Sequence, residues 1–479
     1  MTRNFLVIGV GRALQILVAL ASMRLMTHLL SGAEVGNVYL ILSLTSYFTL
    51  VFLSPVGLYM NRRLHSWHQE LNLLNYFASY SVYVVLVSVS AFPLLFLAQR
   101  VFGVGSEIPT FSLCVLAFGY ILCGTWNSTV IPALNMLHHR FSFVVFTTGT
   151  LLAAVVFSAG LAKVVRPSAE MWISGQIAGY FLLAAVALWY LLSRLKYGVD
   201  PGFVWRSLRN PDLKGVARFA LPLLITSAFM WVQNQSYRLI VERYLGLEFL
   251  GMMAVGLGIA AAVASAGESL AQQIYYPLFY SEISGADQDR RRAAWNKMAG
   301  MILPFYLMTA IFVSFLAWHL VNLLVDPKFR SAWGFAVFGA WVEFSRVTAN
   351  LLSNVAHSEM RTETLPKPYI YGGLVTAAGV SLAAKYGPVP YYVPAALLLG
   401  GATTLLSMFL SMRKVMPFAL GRKGLRLALL LSIPFPLALL IKNSNGDVVV
   451  SILVLALFGG YMGIAQYFLY SKRPQGGAL

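Results

Sequence analysis

Glu343, Arg346, Asn350, Asn354 and His357 recur at three- and four-residue steps inside an apolar run. On a helix of roughly 3.6 residues per turn, those steps draw a single polar stripe. Glu343 and Arg346 stand close enough to pair, so the stripe reads either as a neutralised core pair or as the lining of a polar cavity. Asn234, Arg238 and Glu242 share a face at four-residue steps in the same way. Arg12, Arg24 and Glu268 are further ionisable residues within apolar runs. In a bilayer each such group costs about 2.5–3.5 kcal/mol, and it therefore faces a partner or an aqueous cavity. Two kinds of chemistry are open to these residues. Guanidinium groups grip phosphate oxygens in bidentate fashion. A buried carboxylate without a neutralising neighbour holds a proton, and Glu268 has no cation beside it in sequence. A structural hydrogen bond is the alternative for Glu268. Glu343 and Glu242 are the other ion-coupling candidates.

The elements that must position these residues are membrane spans. The chain is 58% apolar and 11% charged, against about 25% charged for an ordinary soluble domain. A net charge of +18 suits nucleic acid in a soluble protein. In a membrane protein, cytoplasmic loops collect Lys and Arg, so nucleic acid is not expected as a partner. Cys114 and Cys123 are out of phase on one helix and read as small core residues, not as a disulfide or a metal site. No metal or other cofactor is expected. The short basic start MTRN is followed by an apolar segment with no small-residue cleavage site, so the segment reads as a retained first span.

Apolar runs of about 20 residues number about fourteen. They fall near 5–27, 36–60, 76–99, 110–137, 143–163, 171–192, 217–244, 248–283, 297–325, 331–357, 368–386, 391–412, 425–441 and 448–470. With both termini inside, the cytoplasmic segments gather 23 Lys and Arg against 8 outside, and this excess sets the orientation. The longest connection, 193–216, is basic and broken by Pro201 and Pro211. It reads as the linker between six-helix lobes at 1–192 and 217–413, with two further helices and a tail at 414–479.

A repeat supports that division. Arg24-Leu25 is followed by Gly32 and Glu34, and Arg238-Leu239 by Gly246 and Glu248 at the same spacings. Asn135 with His138, and Asn354 with His357, close two further spans in near register. Six spans per half return the second half in the same orientation, which makes a parallel repeat. Arg24 and Arg238 come late in their spans and either line a cavity or snorkel to the outer headgroups. The segment from Asn61, NRRLHSWHQELNLL, puts Leu64, Trp67, Leu71 and Leu74 on one helical face, as an interfacial helix would. His65 and His68 within it lack further ligands for a metal. Gly175 with Gly179, and Ala254, Gly258, Ala262 and Ala266, mark close helix packing.

The stretch LQILVALASMRLMTHLLSGAEVGNVYLILSL, followed by GLYMNRRL, resembles the opening of bacterial polysaccharide (O-antigen type) flippases. These belong to the multidrug/oligosaccharidyl-lipid/polysaccharide exporter superfamily. The match rests on Arg24, the Leu30–Gly36 turn and Gly57 with Arg62 or Arg63, and the span count and repeat extend it over nearly the whole chain. The resemblance implies a two-lobed, V-shaped helical bundle working by alternating access in the bacterial inner membrane. The implied substrate is an oligosaccharide on undecaprenyl diphosphate, exchanged against a proton or sodium ion, with membrane lipids around it. Polysaccharide polymerase and chain-length proteins are the implied partners. Arg24, Arg62 and Arg238 match family arginines held to be important, and Asn234, Arg346 and Asn350 join them as candidates for binding diphosphate or glycan. A multidrug or lipid II exporter of the same superfamily is the alternative. A polysaccharide polymerase or ligase fits less well, because the outer loops are short and no HExxH or P-loop motif occurs. The chain is therefore not expected to be an enzyme.

Overall fold

The computed structural model describes residues 2–195, 197–209, 213–283, 285–387, 390–441 and 446–471. Lys196, Pro211, Lys442, Lys472 and Arg473, which entered the linker and loop readings, lie outside the described residues. The protein is an all-α, multi-pass membrane protein, with no β-strand among the described residues. An apolar chain in lipid must satisfy each peptide group within its own segment, and helices do so. Ten helices among the described residues are long and apolar enough to cross a membrane.

The first compact unit comprises 1–231 and 238–251. It contains α1 (Thr2–Leu29), α2 (Gly32–Tyr47), α3 (Ser54–Gln69), α4 (Leu73–Phe102), α5 (Thr110–Met136), α6 (Arg140–Val164), α7 (Ala169–Arg194) and the short α8 (Pro201–Arg209). It also takes in most of α9 (Leu213–Asn234) and the first turns of α10 (Tyr237–Ile283). Residues flanking the linker expected at 193–216 therefore pack into this unit. Ser31 caps α2 by accepting from the Glu34 amide at 3.3 Å, and Ser168 caps α7 through the Met171 amide at 3.4 Å. Both caps answer amides that have no helical partner. Gly175 and Gly179 lie against the backbone of α6 at Ser158 and Ala154, leaving no room for a Cβ. That close crossing is the packing the Gly-x-x-x-Gly spacing predicts.

Between α2 and α3 the helix widens into a π turn at Phe48–Leu53. Pro55 has no N–H to donate one turn back, so the bonding shifts to Ser54 N–H reaching Thr49 O. The interfacial helix expected over Asn61–Leu74 is shorter than that segment. α3 stops at Gln69, and Leu71, with φ 59°, is 61% exposed in the turn before α4. The apolar face keeps Leu64 and Trp67, and Trp67 stacks on Tyr76 at 3.9 Å.

The second unit comprises 232–237 and 252–479. It contains the rest of α10, α11 (Gln288–Leu324), α12 (Trp333–Ser358), α13 (Pro366–Tyr386), α14 (Tyr392–Val415), α15 (Arg422–Leu431) and α16 (Val448–Ser471). Asp287 caps α11 through the Arg290 amide at 2.8 Å. The run at 425–441 is not one α-helix. Pro434 and Pro436 end α15, and a 3-10 turn at Phe435–Ile441 continues it. Gly246 (φ 83°) breaks α10 between the runs at 217–244 and 248–283.

Candidate functional site

In the second unit, α10 and α12 cross closely enough to bring distant polar residues together. A Cβ on Gly256 would fall among Ala332 and Phe335, and one on Gly339 would stand 2.8 Å from Ala260 Cβ. The small residues that make this contact are Gly256 and Ala260 of α10 and Gly339 of α12. Two turns further along, Glu268 of α10 meets the stripe of α12. Arg346 Nη1 lies 3.0 Å from Glu268 Oε2, and Arg346 Nε lies 2.7 Å from Glu343 Oε2. Asn350 Nδ2 donates to Glu268 Oε1 at 2.9 Å, and Arg346 Nη2 donates to Ser265 Oγ at 3.4 Å. One guanidinium thus holds two carboxylates, and the three side chains retain only 25%, 11% and 14% exposure for Arg346, Glu268 and Glu343.

The local Glu343–Arg346 pair is the one the spacing predicts. Glu268 is not the lone carboxylate that its sequence neighbours imply. Its sequence neighbours carry no cation, but α12 supplies one across the helix crossing, so Glu268 sits in an ion pair. The network continues along the same two helices and reaches α13 through Tyr369. Asn354 Nδ2 donates to Tyr276 Oη at 2.8 Å, Tyr280 Oη donates to Asn354 Oδ1 at 3.3 Å, and Tyr369 Oη donates to Asn350 Oδ1 at 3.3 Å. Sequence reasoning missed these tyrosines. A signal was present, because Glu268, Gln272, Tyr276 and Tyr280 follow one another at four-residue steps.

In the first unit the expected residues stand against separate elements. Arg24 is half-buried on α1. Arg62 on α3 lies 5.9 Å from the ring centre of Phe219 on α9, while the adjoining Arg63 folds back over Tyr59 of its own helix at 5.2 Å. Arg238 stacks on Tyr39 at 5.1 Å, and its Nη1 donates to the Tyr39 carbonyl at 3.3 Å. Glu242 accepts from the Gly105 amide at 3.0 Å and borders a cavity of about 370 Å3 with Glu107 and Arg243. Arg12 donates to Gln15 at 3.0 Å one turn on.

The expected face joining Asn234, Arg238 and Glu242 does not run unbroken. α9 ends at Asn234 and α10 begins at Tyr237, so a turn at Gln235–Ser236 resets the register, and Asn234 belongs to the second unit. The structure therefore gathers Glu268, Glu343, Arg346 and Asn350 into one cluster. It holds Arg24, Arg62, Arg238 and Glu242 elsewhere, in the first unit. Among the described residues no group of three or more His, Cys, Asp or Glu is placed to hold a metal ion.

No family model matches the sequence, and neither does any curated protein. In fold the chain is similar to the lipid II flippase MurJ in an inward closed conformation, with a TM-score of 0.69 and 14% identity over 98% of this chain and 99% of that one. An inward-facing multidrug resistance MATE family transporter of the MOP superfamily matches with a TM-score of 0.56 and 11% identity, over 85% of this chain and 94% of the other. A MOP superfamily transporter from Pyrococcus furiosus, described as having a binding pocket of reverse polarity, matches at 0.52 and 13% over 86% and 95%. At these identities the likeness is one of fold. The chain shares its all-α architecture with solved structures of a lipid II flippase and of MOP superfamily transporters.

Proposed function

We propose that this protein is a flippase carrying an undecaprenyl-diphosphate-linked oligosaccharide, an O-antigen or other surface polysaccharide repeat unit, from the cytoplasmic to the outer leaflet. The supporting observation is that Arg24 and Arg238, intramembrane guanidiniums at equivalent places of the repeat, occur in a fold shared with a lipid II flippase. A diphosphate crossing a low-dielectric layer needs fixed positive charge, and arginine meets phosphate oxygens two at a time. Arg62 is the third such group, and Asn234 and Asn350 supply neutral hydrogen bonds. Arg346 takes part by exchange: a phosphate oxygen replaces a carboxylate only when Glu268 or Glu343 is neutralised. That requirement links substrate to a coupling proton or sodium ion by alternating access, with Glu242 as a further ion-coupling candidate.

The proposed setting is the bacterial inner membrane, with both termini cytoplasmic. Lobes at 1–192 and 217–413 move about the 193–216 linker, with 414–479 appended. Polysaccharide polymerase and chain-length proteins receive the flipped unit. The second reading is multidrug or lipid II export, and its multidrug form draws support from the two carboxylates around Arg346, a net negative cluster that favours a cation.

Proteoliposomes holding the purified protein and a fluorescent undecaprenyl-diphosphate oligosaccharide test the proposal. Arg238→Ala is expected to slow flipping about 10–100-fold, the loss of one charged hydrogen-bonded contact, while Arg238→Lys keeps part of the rate. Full flipping by the alanine variant makes Arg238 a headgroup anchor. Export of a cationic dye without flipping of the glycolipid selects the second reading.

A further inference from the structure

The first unit holds a cavity of about 540 Å3 that the arginines and carboxylates leave unexplained. Its volume lies within the range of about 300–1,000 Å3 typical of small-molecule sites. The walls come from the π turn at Phe48–Leu53, α3, α4, α5, α6 and α7. Among the described residues that line it there is no Asp, Glu, Lys, Arg or His. Hydroxyl and amide groups provide the polarity, among them Thr49, Ser54, Asn61, Asn127, Ser128 and Thr147.

The bonding of these groups decides what the walls can offer. Thr49 Oγ1 donates to Ser46 O at 3.2 Å, and Thr147 Oγ1 donates to Phe143 O at 2.7 Å. Thr129 Oγ1 donates to Thr125 O at 2.7 Å, and Tyr80 Oη donates to Leu53 O at 3.3 Å. Asn127 Nδ2 donates to Thr150 Oγ1 at 3.0 Å. Each of these four hydroxyls has spent its only hydrogen on the protein and keeps lone pairs for a ligand. The wall is thus rich in acceptors and carries no formal charge. Tyr120 and Tyr180, edge to face with centroids 5.6 Å apart, add an aromatic surface. The π turn is part of the site as well, because it carries Thr49 and leads into Ser54. Such turns are frequent where a helix bends around a functional group.

Several occupants fail on these grounds. A phosphate finds no cation, and an organic cation finds no counter-charge. A lipid tail has no donors for the lone pairs these oxygens keep, so it gains nothing from the polar wall. A neutral polyol fits, because its hydroxyls donate to the acceptors and its C–H face packs on the tyrosine rings.

We infer that this cavity is a binding site for an uncharged sugar unit, separate from the α10–α12 charge cluster. That the sugar belongs to the carried glycan rests on the flippase reading. The binding itself is measurable without transport.

The test uses the full chain in nanodiscs with diazirine derivatives of glucose and N-acetylglucosamine, and tetraphenylphosphonium as a cationic competitor. Labelling is expected on peptides of α5 and α6. Excess unlabelled sugar should displace it and tetraphenylphosphonium should not. Thr147→Val and Asn127→Leu should each lower it at least tenfold. Ser128→Ala combined with Thr147→Val carries the decision if Asn127→Leu lowers the melting temperature. Absence of sugar-competed labelling, equal labelling of the double variant, or displacement by the cation overturns the inference. Intact flipping with no labelling rejects this site alone, whereas labelling without flipping rejects the transport reading alone.

Discussion

Between α10 and α12 the second unit holds one guanidinium against two carboxylates, whereas the cavity of the first unit is walled by hydroxyls and amides. Both regions bury polar groups in spans that lipid surrounds, and they do so with different consequences. Charges buried together depend on one another, because removing one strands the rest in a medium that cannot solvate them. Hydroxyls that return their hydrogens to the backbone of their own helix are nearly self-sufficient, so each can be lost almost independently. The second region therefore suits a device that changes state when one charge is neutralised. The first suits a surface that keeps its shape while a ligand comes and goes.

The largest effect is expected from Arg346→Ala. It leaves Glu268 and Glu343 facing each other without a cation, which should cost about 3–5 kcal/mol. Thermal unfolding of the purified protein measures the loss, and adding Glu268→Gln and Glu343→Gln should recover most of it. A loss below about 1 kcal/mol means that water screens the cluster as it does an exposed pair, and the contrast between the two regions then collapses.

Glu268→Gln sharpens the same contrast at lower cost. Glu343 still neutralises Arg346, and glutamine still accepts from Asn350, so the loss is that of one charge-assisted bond, about 1.5–3 kcal/mol. In proteoliposomes, transport by this variant should lose its response to a pH gradient. An unchanged response removes Glu268 from the coupling step and leaves the cluster a structural tie.

How much of this was legible in the sequence depends on the range of the interactions involved. Most apolar runs are helical throughout, because span length and hydrogen bonding within the segment are local properties; the runs at 217–244 and 425–441 are interrupted. The α12 stripe was legible for the same reason, since Glu343 and Arg346 are one turn apart. The partner of Glu268 was not legible. It lies on another helix and is brought near by Gly256, Ala260 and Gly339, whose role as the close contact emerges only once the helices pack. The break at Gln235–Ser236 was hidden because neither residue disrupts a helix by itself. The hydroxyl cavity draws on side chains of the π turn and of α3 to α7; Thr125, Ser128 and Thr129 share one face of α5, but the facing walls lie on other helices.

The smallest effect is expected in the first unit, and there the comparison is easiest to break. Thr150 is 4% exposed, donates to Phe146 O at 2.8 Å and accepts from Asn127 at 3.0 Å. Thr150→Val keeps the shape and removes both bonds, while Asn127 Nδ2 retains the Tyr180 carbonyl at 3.4 Å. The loss should be about 0.6 kcal/mol and no more than about 1.7 kcal/mol, the span measured for side-chain hydrogen bonds within membrane proteins. Thermal unfolding beside Arg346→Ala, in the same detergent, places the two values on one scale. If Thr150→Val matches the arginine variant, the hydroxyl wall is as cooperative as the charge cluster. The cavity would then be a load-sharing core whose oxygens are committed to the fold, and no sugar could claim them.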